Sequence, residues 1–147
     1  MSGPFRLPGG GRIDRSRPLR MTFNGSMLSA YAGDTAASAL LANGIHLAGR
    51  SFKYHRPRGL LAAGSEEPNV LLDVDRSGGR REPNNRATVV EAVEGLALAS
   101  QNHWPSLAID VGALNDRAGG LVSAGFYYKT FMWPPKASAK LYEPMIR

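Results

Sequence analysis

The chain has 147 residues, 43% hydrophobic and 20% charged, which suits one globular core with an extension rather than two full domains. It contains no cysteine, so disulfides, thiolate nucleophiles and thiolate-held metal centres are excluded together. No run approaches the roughly 20 apolar residues of a membrane-spanning helix, and the net charge of +6 is uneven: nine Arg/Lys face two acids up to Arg58, and nine face ten from Gly59 onward.

The first 18 residues are rich in Gly, Pro and Arg, lack the apolar stretch of a secretory signal, and point to a cytoplasmic protein. They read as an arm that lies on something else. The triple glycine at 9–11 is no phosphate loop, because no strand precedes it and no Gly-Lys-Ser/Thr follows.

The first regular structure is a hairpin, 19–23 and 26–31, around Asn24-Gly25. Both turn residues tolerate the positive φ of a type I′ turn. That turn sets Phe23 opposite Ser26, Met21 opposite Leu28 and Leu19 opposite Ala30, giving one mostly apolar face. A short Ala-rich helix follows, with Asp34 as expected N-cap and Asn43-Gly44 as its left-handed close.

The stretch 49–59, Gly-Arg-Ser-Phe-Lys-Tyr-His-Arg-Pro-Arg-Gly, alternates aromatic and cationic residues. Such interleaving can serve single-stranded nucleic acid, but no recognition module accompanies it, so an ordered loop whose Arg and Lys pair with another subunit or hold a cofactor is the favoured reading. His46 and His55 lack the neighbouring ligands of a metal site. Glu66 and Glu67 read as a solvated pair on a loop.

Residues 70–75 read as a strand and 76–85 as a polar loop. Residues 86–102 fit either a helical stripe or a hairpin turning at Glu94-Gly95, and the β-branched residues favour the hairpin. A short helix is expected within 107–116. A triad of His103, Asp110 and Asp116 has no nucleophile elbow to support it. Residues 126–135 concentrate aromatic side chains, each able to remove about 150–250 Å² from water on docking.

Several runs resemble one family. The stretch at 49–59, Ala-Gly-Ser-Glu-Glu-Pro-Asn at 63–69, Arg-Ala-Thr-Val-Val-Glu at 86–91, Ser-Gln-Asn-His-Trp-Pro-Ser at 100–106 and Ala-Gly-Phe-Tyr-Tyr-Lys-Thr-Phe-Met-Trp-Pro at 124–134 are similar to the amino-terminal region of heterotetrameric sarcosine oxidase alpha subunits. The resemblance implies an α+β fold, a β-grasp domain of the [2Fe–2S] ferredoxin type at 19–103, with the arm at 1–18 and an aromatic-rich extension at 104–147. Cluster-bearing relatives hold the irons with Cys-x4-Cys-x2-Cys and a later Cys. Laid on this sequence, that spacing places Ala62, Glu67, Val70 and Thr88 at the four positions, none of which offers a thiolate.

The resemblance further implies a complete enzyme that uses FAD, FMN and NAD to oxidise sarcosine, N-methylglycine, to glycine. The Gly-x-Gly-x-x-Gly fingerprint for NAD is missing here and would follow residues like those at 141–147, so the chain is expected to be a leading fragment or a separately encoded leading domain. No catalytic, cofactor or metal residue is expected in it. Its expected partners are the rest of the alpha subunit and the other oxidase subunits, not nucleic acid or membrane. The expected contact residues are Arg50, Lys53, Arg56, Arg58, Tyr127, Tyr128, Phe131 and Trp133.

Overall fold

Strand β1 (Asp14–Phe23) turns through Asn24 and Gly25, at φ 49° and 82°, into antiparallel β2 (Ser26–Ala32). The pairs Phe23↔Ser26, Met21↔Leu28 and Leu19↔Ala30 form as the turn chemistry predicts. β1 begins five residues earlier than expected. Its pairing is irregular between Asp14 and Pro18, so the last part of the supposed arm already belongs to the sheet.

The structure, a computed structural model, describes residues 4–76 and 79–117. After β2 come helix α1 (Ala36–Ala42), the two-residue strands β3 (Gly49–Arg50) and β4 (Pro57–Arg58), then β5 (Leu71–Asp75), β6 (Arg81–Arg86) and β7 (Ala97–Ser100). A 3-10 turn at Val111–Ala113 runs into a short helix α2 (Leu114–Arg117), in the region where a short helix was expected. The main sheet has the order β2-β1-β7-β5-β6, with β7 parallel to β1 and antiparallel to β5, while β3 and β4 pair apart from it.

The alternation of each strand delivers one apolar face. Met21 and Phe23 of β1, Leu28 and Ala30 of β2, Leu72 and Val74 of β5 and Leu98 of β7 meet Ala36, Ala37, Ala39 and Leu40 of α1 in one buried cluster. Burying a leucine such as Leu40 or Leu72 contributes about 1.5–3 kcal/mol. The four alanines of α1 keep the helix close to the sheet.

Three expectations need correction. The N-cap is Thr35 rather than Asp34: its Oγ1 accepts the Ser38 N–H at 3.2 Å, and the Ser38 hydroxyl accepts the Thr35 N–H at 3.0 Å, a capping box. The polar stretch 76–85 is not all loop, because 81–86 form β6. As an edge strand β6 is held through its backbone to β5 and keeps polar side chains in water, so no hydrophobic alternation announces it.

Residues 86–102 form neither a helix nor a hairpin. Beyond Arg86, the last residue of β6, only 97–100 become a strand. The stretch before it is irregular because its carbonyls serve α1: Ala36 N–H donates to Val90 O at 2.8 Å and Ala37 N–H to Ala87 O at 2.9 Å. These are two of the N-terminal donors a helix cannot satisfy internally.

The arm lies on its own domain. Phe5 N–H donates to Ala42 O at the end of α1, and the Arg6 guanidinium reaches Asp34 with Nη1–Oδ1 at 3.1 Å and Nη2–Oδ2 at 2.7 Å. Arg6 also stacks over Tyr31.

Asn24 ties the tip of the first hairpin to the end of β7, its amide donating to Ser100 Oγ at 2.8 Å and accepting the Ser100 N–H at 2.9 Å. Asn24→Ala leaves that N–H without its partner and is expected to lower stability by about 1–2 kcal/mol. A shift of the urea midpoint at constant m-value reads it.

Candidate functional site

Residues 59–70 connect β4 to β5 as an irregular loop. At its centre Glu67 is 0% exposed. Its Oε2 accepts the N–H groups of Leu61 and Ala62 at 2.7 and 2.6 Å, and its Oε1 accepts those of Asn69 and Val70 at 2.7 and 3.2 Å. Among the described residues no cation forms an ion pair with it. Burial alone would raise the pKa of this carboxyl, but the four backbone donors outweigh it and hold the group below its ordinary value.

Thr88 Oγ1 donates to Gly64 O at 2.7 Å, the same carbonyl that accepts the Glu67 N–H, and Arg86 Nη1 donates to Ser65 O at 2.6 Å. The expected pair of solvated carboxylates is thus half right. Glu66 is exposed, whereas Glu67 is the hub of the loop.

The cationic stretch 49–59 folds as the β3–β4 clip and grips residues 104–117. Arg50 donates from Nε to Leu107 O at 2.9 Å, from Nη1 to His55 O at 2.9 Å and from Nη2 to Ala108 O at 3.3 Å. His55 Nδ1 lies 2.7 Å from Asp110 Oδ2, and Asp110 Oδ1 accepts the N–H groups of Trp104 and Gly112 at 2.9 and 3.1 Å. Asp110 has a fully buried side chain. Burial works to raise its pKa, yet the Trp104 N–H, His55 and the Gly112 N–H lower it on balance. Arg56 Nε meets Asp116 Oδ1 at 2.6 Å, and Arg58 Nη1 donates to Asn69 Oδ1 at 2.6 Å, joining the clip to the Glu67 loop. Lys53 and Arg56 flank the Tyr54 ring at 5.0 and 4.9 Å from its centroid.

The anticipated contact residues Arg50, Arg56 and Arg58 therefore have partners inside the chain. Tyr127, Tyr128, Phe131 and Trp133 lie outside the described residues. The triad of His103, Asp110 and Asp116 does not assemble. His103 Nε2 meets Ser100 Oγ at 2.7 Å, Asp110 meets His55, and Asp116 meets Arg56. The pairing of Asp110 with His55 escaped the sequence because 55 residues separate the partners. The one local signal was Asp110 two residues before Gly112, a spacing in which an aspartate accepts a backbone N–H.

Among the described residues no group of three or more His, Asp or Glu could hold a metal ion, and no helix is long and apolar enough to cross a membrane.

A family profile described as a 2Fe-2S iron-sulfur cluster binding domain matches residues 16–103, which is β1 through β7 together with the clip and the Glu67 loop. The chain belongs to this family. Like the β-grasp expected from the sequence, the 2Fe-2S cluster binding domain here is α+β, with one helix packed on a mixed sheet.

Its residues do not fit a cluster. The chain has no cysteine, and the carboxylate that fills the loop already accepts from four amides. Ala62, Glu67, Val70 and Thr88 offer a methyl group, that carboxylate, an isopropyl group and a hydroxyl.

The chain is similar to alpha subunits of sarcosine oxidase. It is 61% identical over 143 residues to that of Rhizobium meliloti (strain 1021), covering 97% of this chain and 14% of the relative. It is 44% identical over 105 residues to that of Corynebacterium sp. (strain U-96), covering 65% and 11%. A crystal structure of L-proline dehydrogenase from P. horikoshii is 25% identical with a TM-score of 0.49, covering 62% of this chain and 17% of that one. The chain thus spans about a seventh or less of the length of these sarcosine oxidase subunits.

Proposed function

We propose that this chain is a non-catalytic structural and assembly domain of a flavin-dependent sarcosine oxidase alpha subunit. The complete enzyme, a cytoplasmic heterotetramer, demethylates sarcosine oxidatively to glycine. FAD, FMN and NAD bind outside this stretch and carry the redox chemistry. The domain contributes a scaffold on which the rest of the alpha polypeptide and the other subunits pack. The residues before Asp14 act as arm, β1 through residue 103 as β-grasp body, and 104–147 as connecting extension. In the extension Tyr127, Tyr128, Phe131 and Trp133 supply contact surface, and Lys53 adds to it from the clip.

The observation that carries this reading is the Glu67 carboxylate at the centre of the loop, in a chain with no thiol. The 61% identity to the Rhizobium alpha subunit favours sarcosine oxidase over other amine or opine dehydrogenases. A free-standing module that captures anions or nucleic acid on a basic face is disfavoured, because Arg50, Arg56 and Arg58 are already engaged within the chain by Leu107, Asp116 and Asn69.

Two measurements test the proposal. Expressed with iron and sulfide, the chain is expected to show no visible absorbance of an iron–sulfur centre. Co-expressed with the remainder of an alpha subunit, it is expected to co-purify with it. A cluster spectrum, or amine turnover by the chain alone, refutes the scaffold role.

A further inference from the structure

The loop at 59–70 is built as a receptor for an anion. Amides that converge from two stretches of chain form a concavity that favours negative charge, the kind of backbone nest that also surrounds phosphates and iron–sulfur centres. Here Leu61 and Ala62 converge from one side and Asn69 and Val70 from the other, with both carboxylate oxygens of Glu67 between them. No cation pairs with the carboxylate among the described residues, so the amide dipoles supply its stabilisation.

Three of the four positions that the family resemblance assigns to cluster ligands meet at this one group: Glu67 itself, with the N–H groups of Ala62 and Val70. The fourth, Thr88, closes on Gly64 O of the same loop.

We infer that Glu67 is an intramolecular anion that takes over the organising role of a metal cluster, and that its removal leaves a four-amide site for a small carboxylate. The inference rests on the cluster-free reading of the domain. Its consequence is that the loop is ordered by a side chain translated with it, so folding needs no delivery of iron or sulfide.

The test is chemical rescue in the full chain. Glu67→Ala vacates the nest and is expected to lower the apparent Tm. Sodium formate is expected to restore about half or more of that loss where sodium chloride at equal concentration does not, as linkage requires of a ligand that binds only the folded form. Glu67→Gln fills the space but turns an NH2 group towards two N–H donors, so it is expected to lose Tm and to ignore formate. In the unaltered chain the amides of Leu61, Ala62, Asn69 and Val70 are expected to exchange hydrogen on the order of 10-fold slower than in Glu67→Ala.

If Glu67→Ala fails to fold without added anion, refolding in formate but not in chloride supports the inference, and failure in both overturns it. Unchanged Tm and exchange in Glu67→Ala, or equal effects of the two salts, also overturn it. An iron–sulfur spectrum would remove the cluster-free reading without touching the amide measurements. Loss of formate rescue would remove the anion nest alone.

Discussion

Arg6→Ala is expected to destabilise the domain by about 3 kcal/mol, although it lies eight residues before the first strand. The cost arises at Asp34, which is 1% exposed and keeps Tyr31 N–H at 2.9 Å and Ser38 Oγ at 2.7 Å but loses its only cation among the described residues. Those two hydrogen bonds place the effect at the lower end of the 3–5 kcal/mol typical of a broken buried pair. Deleting the arm should cost at least as much, since the Phe5 N–H on Ala42 O goes as well. Removing both charges in Arg6→Met/Asp34→Asn should recover most of the loss, because the amide oxygen at the Oδ2 place still accepts the Tyr31 N–H, the amide NH2 at the Oδ1 place donates to the Ser38 hydroxyl, and no unpaired charge stays buried. Urea unfolding of the two single variants and the double variant measures the coupling. If Arg6→Ala shifts the midpoint by less than about 0.5 kcal/mol in stability, the arm is ornamental.

Asp110→Asn is the second large effect, about 2–4 kcal/mol at neutral pH, since one side chain holds Trp104, Gly112 and His55 together in a fully buried position. The sign with pH is determined by the lowered pKa of Asp110. A carboxyl whose pKa is lower folded than unfolded adds stability above its ordinary value, about 3.9, and that contribution fades as pH falls through the folded value. The gap in stability between the unaltered chain and Asp110→Asn should therefore be full at about pH 6 and shrink below about pH 4. Glu67, also lowered, adds a separate acid-sensitive contribution that this variant retains. The clip should loosen at the same time, so trypsin is expected to cut after Lys53, between β3 and β4, faster in Asp110→Asn. Gly112→Ala should reproduce the loosening without touching the charge, because its Cβ would collide with the His55 ring.

The parts of the fold legible in the sequence are those governed by neighbours along the chain. Asn24-Gly25 set the register of β1 and β2, and Asn43 with Gly44, at φ 77°, closes α1 as expected. Where distant segments decide, local patterns are silent. Val90 is buried and sits in a β-branched run, yet its carbonyl is committed to Ala36, and nothing in its neighbourhood along the chain records that. β6 is polar because only its backbone is needed.

The site divides in the same way. The lack of thiols is plain from composition, but that Glu67 rather than Glu66 turns inward depends on four amides that the folded loop brings together. The charge asymmetry was visible too. Its use as an internal grip on 104–117 depends on Asp110 and Asp116, which lie in the acidic part of the chain.

Among the described strands of the sheet, the one at its middle is the last to be translated. β1 with β2 and β5 with β6 are local hairpins, while β7 is inserted between them. Until Ala97 and its neighbours emerge, a nascent chain carries two separate ribbons with bare inner edges, each open to pairing with the wrong partner. Synthesis halted before that point would leave both inner edges exposed, and the four residues Ala97–Ser100 cover them by pairing with β1 on one side and β5 on the other.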